Sequence, residues 1–205
     1  MCTSYYIGGS AEFASMIKEI RESSLTGFLE MTYKTSVCED EDVFPGALAP
    51  VIARNKSGER RPFAMLFGFV LSGQKNKKIL NARLETAAER PLFKDAWQSR
   101  RCIVPATYYY EWEHPSGQKA IRYAIRPSTS DAVYLCGLYR VENGVPQFVI
   151  LTREAEPEIA FIHDRMPVMI PKSRIDDWID PAQKPEDVLL DLLKTMDFEP
   201  NENCR

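Results

Sequence analysis

The second half of the chain is a succession of short strand-like segments, and this pattern constrains the fold more than any other feature of the sequence. Five segments are rich in aromatic and β-branched side chains, namely residues 102–105, 107–113, 121–125, 133–141 and 147–151. The last two flank Asn143-Gly144, a dipeptide typical of a two-residue hairpin turn. Segments this short and closely spaced have little room for crossover helices, so they predict an antiparallel sheet.

The first half of the chain mixes strand-like and helix-like patterns. Residues 48–53 and 63–71 resemble strands joined by the polar turn 55–58. Ser10 precedes a helical pattern and is a candidate cap for it. The apolar residues of that pattern recur with a helical period and are Phe13, Met16, Ile17 and Ile20.

Further helices are predicted around these strands. The segments are residues 86–98, which Pro91 divides, residues 158–162, residues 175–179 with Ser173 as a cap, and residues 188–193. Residues 72–78 form a basic turn, and we expect the polar tail 199–205 to fray. With neither an internal repeat nor a linker, we expect one α+β domain over residues 1–205. Its core would be a mainly antiparallel, curved β-sheet with peripheral helices.

Cysteine and histidine usage argues against a metal centre. The five cysteines include no C-x-x-C pair, their number is odd, and there are two histidines. A disulfide framework and a zinc ribbon are therefore disfavoured, and we expect no metal and no cofactor. No apolar run approaches the roughly 18 residues of a membrane span, and the N-terminus lacks signal-peptide features. These features predict a cytoplasmic protein without a membrane partner.

Charge is unevenly distributed along the sequence. The net charge is −3, which taken alone disfavours a strongly basic nucleic-acid-binding protein. Residues 53–83, however, contain eight Lys or Arg residues and one Glu. This segment could form a basic face on an acidic protein, or it could be two solvated surface loops.

Cys2 follows the initiator methionine, and its removal would expose unusual chemistry. Residue 2 would then carry an α-amine with a pKa of about 7.7–8.0 beside a thiol with a pKa of about 8.5. The amine of such a 1,2-aminothiol forms a Schiff base with an aldehyde, and the thiol then closes a thiazolidine ring. A lysine forms the Schiff base but lacks the second nucleophile. The alternative is that Cys2 is simply a small residue at a chain end.

Four segments considered together are more specific than Cys2 alone. They are Met1-Cys2, Asn-Ala-Arg-Leu-Glu-Thr at 81–86, Arg-Cys-Ile-Val-Pro-Ala at 101–106 continuing to Tyr110-Glu111-Trp112, and His-Asp-Arg-Met-Pro-Val at 163–168. In this order and spacing they resemble the SRAP family (SOS response-associated peptidase) over residues 2–179. The resemblance implies an enzyme that crosslinks abasic sites in single-stranded DNA, with lyase and self-processing peptidase activity as further expectations.

The resemblance also implies roles for four catalytic residues. Cys2 matches the crosslinking cysteine, and Asn81 matches the residue that positions its amine. Glu111 matches the acidic residue beside that amine, and His163 matches the residue that assists proton transfer. Considered separately, Asn81 could be a turn residue, Glu111 a solvent-facing strand residue and His163 a helix-end residue paired with Asp164.

Substrate-binding roles are implied for four more residues. Arg83 and Arg165 would contact phosphates, although Arg83 could instead pair with Glu85. Phe67 and Trp112 would stack on bases, although an aromatic residue in a strand more often belongs to the core.

The sequence departs from the family pattern near the nucleophile. Thr3 and Ser4 replace the usual Gly-Arg after the cysteine, and Phe67-Gly68-Phe69 replaces a Trp-Gly pair. Basic side chains elsewhere could replace the lost phosphate contacts, and the candidates are Arg60, Arg61, Lys75, Lys77 and Lys78.

Three functional interpretations follow from these residues. The first is a DNA-protein crosslinking enzyme, a bacterial monomer that acts on DNA of the nucleoid and whose partner is single-stranded DNA containing an abasic site. The second is an N-terminal-nucleophile cysteine peptidase, in which Cys2 cuts peptide bonds with its own amine or His163 as base. The third is a non-catalytic relative that binds nucleic acid or protein.

Overall fold

Strands make up most of the secondary structure, and short helices and turns connect them. The coordinates are a computed structural model that describes residues 2–71 and 78–201. The strands are β1 (Ser4–Ile7), β2 (Glu41–Val43), β3 (Leu48–Arg54), β4 (Arg60–Phe67), β5 (Phe69–Val70), β6 (Lys78–Ile79), β7 (Asn81–Arg83), β8 (Arg101–Ala106), β9 (Tyr108–Glu113), β10 (Ile121–Pro127), β11 (Val133–Glu142), β12 (Val145–Glu154), β13 (Arg165–Pro167) and β14 (Met196–Pro200). The helices are α1 (Ala11–Arg21), α2 (Ser24–Tyr33), α3 (Leu84–Ala87), α4 (Lys94–Ser99), α5 (Ile175–Ile179) and α6 (Pro185–Val188), with 3-10 turns at Lys172–Arg174 and Leu189–Asp191.

Five strands form a closed ring, or barrel, at the centre of the fold. The order of the strands is β11-β8-β3-β4-β12, and the ring closes because β12 also pairs with β11. Its pairings are antiparallel except for β4 with β12. Asn143 and Gly144 join β11 to β12, and both have positive φ angles, of 52° and 79°. A type I′ hairpin turn requires positive φ at both positions, so the predicted hairpin is confirmed.

A second sheet packs against this barrel. Its order is β14-β10-β9-β1-β2, with antiparallel pairing throughout. Tyr5 of β1 lies against Phe67 of β4, with ring centroids 6.0 Å apart, and both side chains are fully buried. One hydrophobic cluster includes residues of both sheets. The predicted α+β fold with mainly antiparallel, curved sheets is therefore confirmed.

The helices cover the periphery, and the first one follows its sequence pattern closely. Ser10 accepts a hydrogen bond from the backbone N–H of Glu12 at 3.2 Å, as an N-cap does. The buried residues of α1 are the four that the periodicity predicts. The predicted break at Pro91 is also present, because α3 and α4 lie on either side of it.

The structure corrects several local predictions. Residues 158–162 form successive turns and not an α-helix, because the backbone bonds from Ile159 to Glu156 at 3.1 Å and from Ile162 to Ile159 at 3.0 Å span three residues each. Ser173 lies inside a 3-10 turn, and Arg174 is the cap of α5. Of the segment 188–193, Val188 ends α6 and Leu189–Asp191 form a 3-10 turn, and α2 was not predicted.

The start of the C-terminal tail is ordered, so the prediction of fraying is wrong for residues 199–201. Glu199 and Pro200 complete β14, where they pair with Ala124 and Tyr123 of β10. The Asn201 N–H then donates to the Arg122 carbonyl at 2.7 Å. Cross-strand bonds and the buried Met196 hold this segment. Residues 202–205, and residues 72–77 of the predicted basic turn, lie outside the described residues.

Candidate active site

Cys2 lies two residues before the start of β1 and is fully buried. Its thiol lies 3.8 Å from the Ser4 carbonyl oxygen, to which it donates a weak hydrogen bond. Burial raises the pKa of the Cys2 thiol well above its ordinary value, and the charge of Glu111 raises it further. The thiol is therefore protonated at neutral pH, so it needs a proton acceptor before it reacts as a nucleophile.

Asn81 holds the backbone of residue 2. It begins β7, which is fixed in parallel against β12 through the pairing of Asn81 with Ile150. Its side-chain amide nitrogen donates to the Cys2 carbonyl oxygen at 2.9 Å. The nitrogen and the carbonyl carbon of residue 2 share one Cα, so this bond restrains the position of the nitrogen that would become the α-amine.

Glu111 approaches Cys2 from the second sheet. Its side chain is buried, with 5% of its surface exposed. Its charge raises the pKa of the Cys2 thiol and also that of the Tyr109 hydroxyl, for which burial is the larger cause. The pairing of Ser4 with Tyr110 in β1 and β9 places Glu111 beside the N-terminal end of β1, and these electrostatic effects agree with that position. The structure therefore brings Cys2, Asn81 and Glu111 together.

His163 is positioned by the other edge of β12. It precedes β13, which pairs with β12 on the side opposite β7, at Thr152 to Glu154. The Arg165 backbone N–H donates to Nδ1 of His163 at 2.9 Å. Asp164 Oδ1 lies 2.7 Å from the same nitrogen.

These two contacts make opposite demands, because the N–H needs a lone pair on Nδ1 and the carboxylate needs a proton there. We favour the backbone bond, since the Asp164 side chain is 85% exposed and well solvated. Nε2 is then the nitrogen that carries the exchangeable proton. No hydrogen bond joins His163 directly to Cys2 in the described chain.

The two predicted phosphate-binding arginines differ in their surroundings. The Arg83 side chain is exposed and forms no hydrogen bond or ion pair with any described residue, although its charge contributes to the lowered pKa of Glu85, after the hydrogen bond from Arg165. Arg165 instead makes a bidentate pair with Glu85, at 2.7 and 2.8 Å, and donates to the Thr152 carbonyl at 2.7 Å. The partner of Glu85 is thus Arg165 and not Arg83. Arg83 lines an open groove of about 450 Å³ together with Asn81 and Arg90.

Phe67 and Trp112, which were predicted to stack on bases, are not placed as that role requires. Phe67 is fully buried and stacks on Phe148, with centroids 5.0 Å apart, and Phe69 is also buried. This burial contradicts a base-stacking role for Phe67 and Phe69 in this conformation. Trp112 is half-buried and follows Glu111 in β9, so its side chain projects from the opposite face of the sheet.

The basic residues of the β3–β4 hairpin lie far from the site. Arg60 and Phe67 occupy opposite ends of β4, roughly 20 Å apart at the usual rise of a strand. Arg60 pairs with Asp176 at 3.4 Å, and Arg61 pairs with Glu59 at 3.4 Å. This distance contradicts a phosphate-binding role at the Cys2 site for either arginine. Lys75 and Lys77 lie outside the described residues.

Sequence reasoning missed three buried hydroxyl groups in this region. The side-chain oxygens of Tyr5, Tyr109 and Thr152 are buried and have no hydrogen-bond partner among the described residues. Tyr5 lies opposite Tyr109 in the pairing of β1 with β9, and burial raises the pKa of both hydroxyls. The spacing of Tyr109, two residues before Glu111 in a strand, was the available signal, because such residues share a face.

The described residues contain neither a metal-binding cluster nor a membrane-spanning helix. Residues 2–71 and 78–201 contain no group of three or more His, Cys, Asp or Glu side chains arranged to hold a metal ion. Within those same ranges, no helix has both the length and the apolar character required to cross a bilayer.

Comparison with known proteins identifies relatives. Abasic site processing protein YoqW of Bacillus subtilis is 32% identical over 152 residues, which cover 70% of this chain and 68% of the relative. Abasic site processing protein YedK of Escherichia coli is 30% identical over 105 residues, 49% of this chain and 47% of the relative.

A solved structure supports the fold. A crystal structure of a Bacteroides thetaiotaomicron protein superposes with a TM-score of 0.74 at 22% identity, covering 98% of this chain and 93% of that one. At this identity the likeness concerns the fold alone. The sequence profile described as SOS response associated peptidase (SRAP) matches residues 1–203, so this chain belongs to the SRAP family.

Proposed function

We propose that this protein captures abasic sites in single-stranded DNA through a covalent bond to Cys2. The observation that carries the proposal is the hydrogen bond from Asn81 to the Cys2 carbonyl, and the strand pairing that sets Glu111 beside the start of β1 supports it. This arrangement restrains one residue that would bear both an amine and a thiol. Relatives named abasic site processing proteins support the choice of substrate.

The first step is hydrolysis of the bond between Met1 and Cys2, which consumes water, releases methionine and leaves an α-amine on Cys2. The ring-opened deoxyribose of an abasic site presents an aldehyde. The amine attacks the aldehyde carbon, and loss of one water gives an imine. Asn81 holds the backbone of residue 2 in position for this attack.

Ring closure uses the thiol. The sulfur bonds to the imine carbon, and the thiol proton ends on the former imine nitrogen, so a thiazolidine forms without further loss of atoms. Because burial keeps the thiol protonated, this proton must be carried from sulfur to nitrogen. Glu111, whose charge acts on the thiol, is the proposed proton acceptor, and His163 exchanges protons with the sugar oxygen through Nε2.

DNA is held mainly through its backbone in this scheme, because an abasic site has no base to read. Arg83 and Arg90 line the groove that reaches Asn81, and they supply its positive charge. Arg165 contacts a phosphate when it exchanges its carboxylate partner for DNA. The protein acts as a monomer, since one chain contains all of these residues.

The test mixes purified protein with a single-stranded oligonucleotide containing one abasic site, followed by a denaturing gel and intact mass spectrometry. Undamaged DNA and Cys2→Ala protein are the controls. We expect a heat-stable adduct on abasic DNA alone, absent with Cys2→Ala, at the summed mass less one water. Mature protein that forms no adduct would overturn the proposal, and cleavage of a peptide by the same protein would favour the peptidase interpretation.

A further inference from the structure

Three aromatic rings from separate elements meet at the surface near the candidate site. Tyr123 belongs to β10, Phe198 to β14, and Phe161 to the turns that lead to His163. The three pairs of ring centroids are 5.9, 6.1 and 5.6 Å apart, and the interplanar angles lie between 65° and 88°. This edge-to-face geometry is the favourable one for aromatic pairs. We call these three residues the aromatic triad.

Two members of the aromatic triad are open to solvent. Phe161 is 52% exposed and Phe198 is 39% exposed, whereas Tyr123 is 9% exposed and forms the base of the cluster. A single exposed apolar residue needs no explanation. Two exposed rings that adjoin on a shared base form a patch, and such a patch often marks a binding surface.

The aromatic triad is continuous with the residues of the proposed reaction. Tyr123 lies directly opposite Glu111 in the β9–β10 pair, so the two side chains project from the same face of the sheet. Phe161 precedes His163 by two residues. A strand of DNA with its abasic sugar near Glu111 and His163 would therefore bring a neighbouring nucleotide to these rings.

Charge around the aromatic triad selects which part of that nucleotide fits. Glu113 accepts a hydrogen bond from the Tyr123 hydroxyl at 3.0 Å, and Asp164 is 85% exposed beside His163. Two carboxylates would repel a phosphate. A base is uncharged and stacks on aromatic rings, so the base is the part that this surface accommodates.

We propose that Phe161 and Phe198 form a stacking platform for the unpaired base next to the abasic site. The proposal rests on the proposed function, because it assigns a neighbouring nucleotide of the same substrate. Phe161 and Phe198 provide an exposed stacking surface, whereas Phe67 and Phe69 are buried.

The test measures reversible binding, so that it is independent of the covalent step. The probe is a fluorescein-labelled single-stranded oligonucleotide with a central tetrahydrofuran residue, which lacks the aldehyde, between two adenosines. A second probe replaces the adenosines with further tetrahydrofuran residues. Fluorescence anisotropy gives the dissociation constant of each probe for the wild type, Phe161→Ala, Phe198→Ala and Phe161→Tyr. Phe28→Ala is the matched control, because Phe28 is 51% exposed on α2.

We expect each alanine variant to bind the adenosine-flanked probe about five-fold more weakly or worse, and the base-free probe unchanged. Phe161→Tyr and Phe28→Ala should match the wild type on both. An equal loss on both probes, no loss on either, or a wild type that binds neither would overturn the platform. A dimer that dissociates in the Phe161→Ala variant, seen by sedimentation, would also overturn it and assign the patch to self-association. A wild type that shows the base preference but forms no adduct with abasic DNA would overturn the crosslinking proposal and leave the platform standing.

Discussion

The side-chain amide of Asn81 donates a hydrogen bond to the carbonyl oxygen of Cys2 over 2.9 Å, although 79 positions separate the two residues in the sequence. The contact depends on two sheets, because Cys2 enters the second sheet through β1 and Asn81 is fixed to the barrel by β12. Any chemistry at residue 2 is therefore coupled to the packing of the two sheets.

Asn81→Ala should slow adduct formation more than it destabilises the fold. A typical hydrogen bond contributes about 1 kcal/mol, so we expect a loss of about five-fold in the single-turnover rate from this bond alone. Imprecise placement of the amine would increase the loss. Asn143→Gly is the control, because glycine tolerates the positive φ of that turn. Equal rates for Asn81→Ala and the wild type, with Met1 removed from both, would contradict the positioning role.

Glu111→Gln should make the Cys2 thiol easier to deprotonate and yet slow the formation of the adduct. Its carboxylate raises the pKa of the Cys2 thiol, so removing the charge lowers that pKa and the thiolate forms at lower pH. Burial remains, and the pKa therefore stays above its ordinary value. Adduct formation should nevertheless slow by about 100-fold, because the proton acceptor is lost.

The measurements for Glu111→Gln are the pH dependence of Cys2 alkylation, read by peptide mass spectrometry, and the adduct rate on abasic DNA. Glu113→Gln is a matched control two residues along the same strand, where the amide oxygen can still accept the Tyr123 hydroxyl. An unchanged alkylation profile in Glu111→Gln would show that the carboxylate does not act on the thiol.

The chain has two histidines, and they allow a direct comparison. His163→Gln should reduce the rate of adduct formation by about 100-fold, since general acid–base catalysis typically contributes that much or more. His114→Gln should have no effect, because His114 lies in an exposed segment after β9. Single-turnover rates from pH 5 to 8 are the measurement. A rate for His163→Gln equal to that of the wild type across this range would exclude His163 from proton transfer.

Local patterns predicted the fold better than they predicted the substrate surface. Ser10 caps α1, and Asn143-Gly144 closes a hairpin, because each depends on a few adjacent residues. The burial of Phe67 depends on Tyr5 and Phe148, which are distant in sequence, and no local pattern shows that pairing.

The sequence also did not show which charged side chains form ion pairs with each other. Arg83 and Glu85 are only two residues apart in the sequence. Glu85 nevertheless pairs with Arg165, which belongs to β13 and is positioned by the pairing of β13 with β12. The aromatic triad could not be predicted either, because its rings come from β10, β14 and a turn. The α+β class, by contrast, follows from patterns that repeat along the chain.

Arg83→Ala should weaken the salt-dependent part of DNA binding. The exposed guanidinium has no ion-pair partner in the described chain, so a phosphate can bind it without displacing a carboxylate. Loss of one phosphate contact on a single strand should reduce the slope of log K against log salt by about 0.7. Arg60→Ala is the matched control, because Arg60 pairs with Asp176 at the far end of β4. Titrations of a tetrahydrofuran-containing oligonucleotide at several salt concentrations measure both slopes. If Arg60→Ala lowers the slope as much as Arg83→Ala does, DNA follows the β3–β4 hairpin and not the groove beside Asn81.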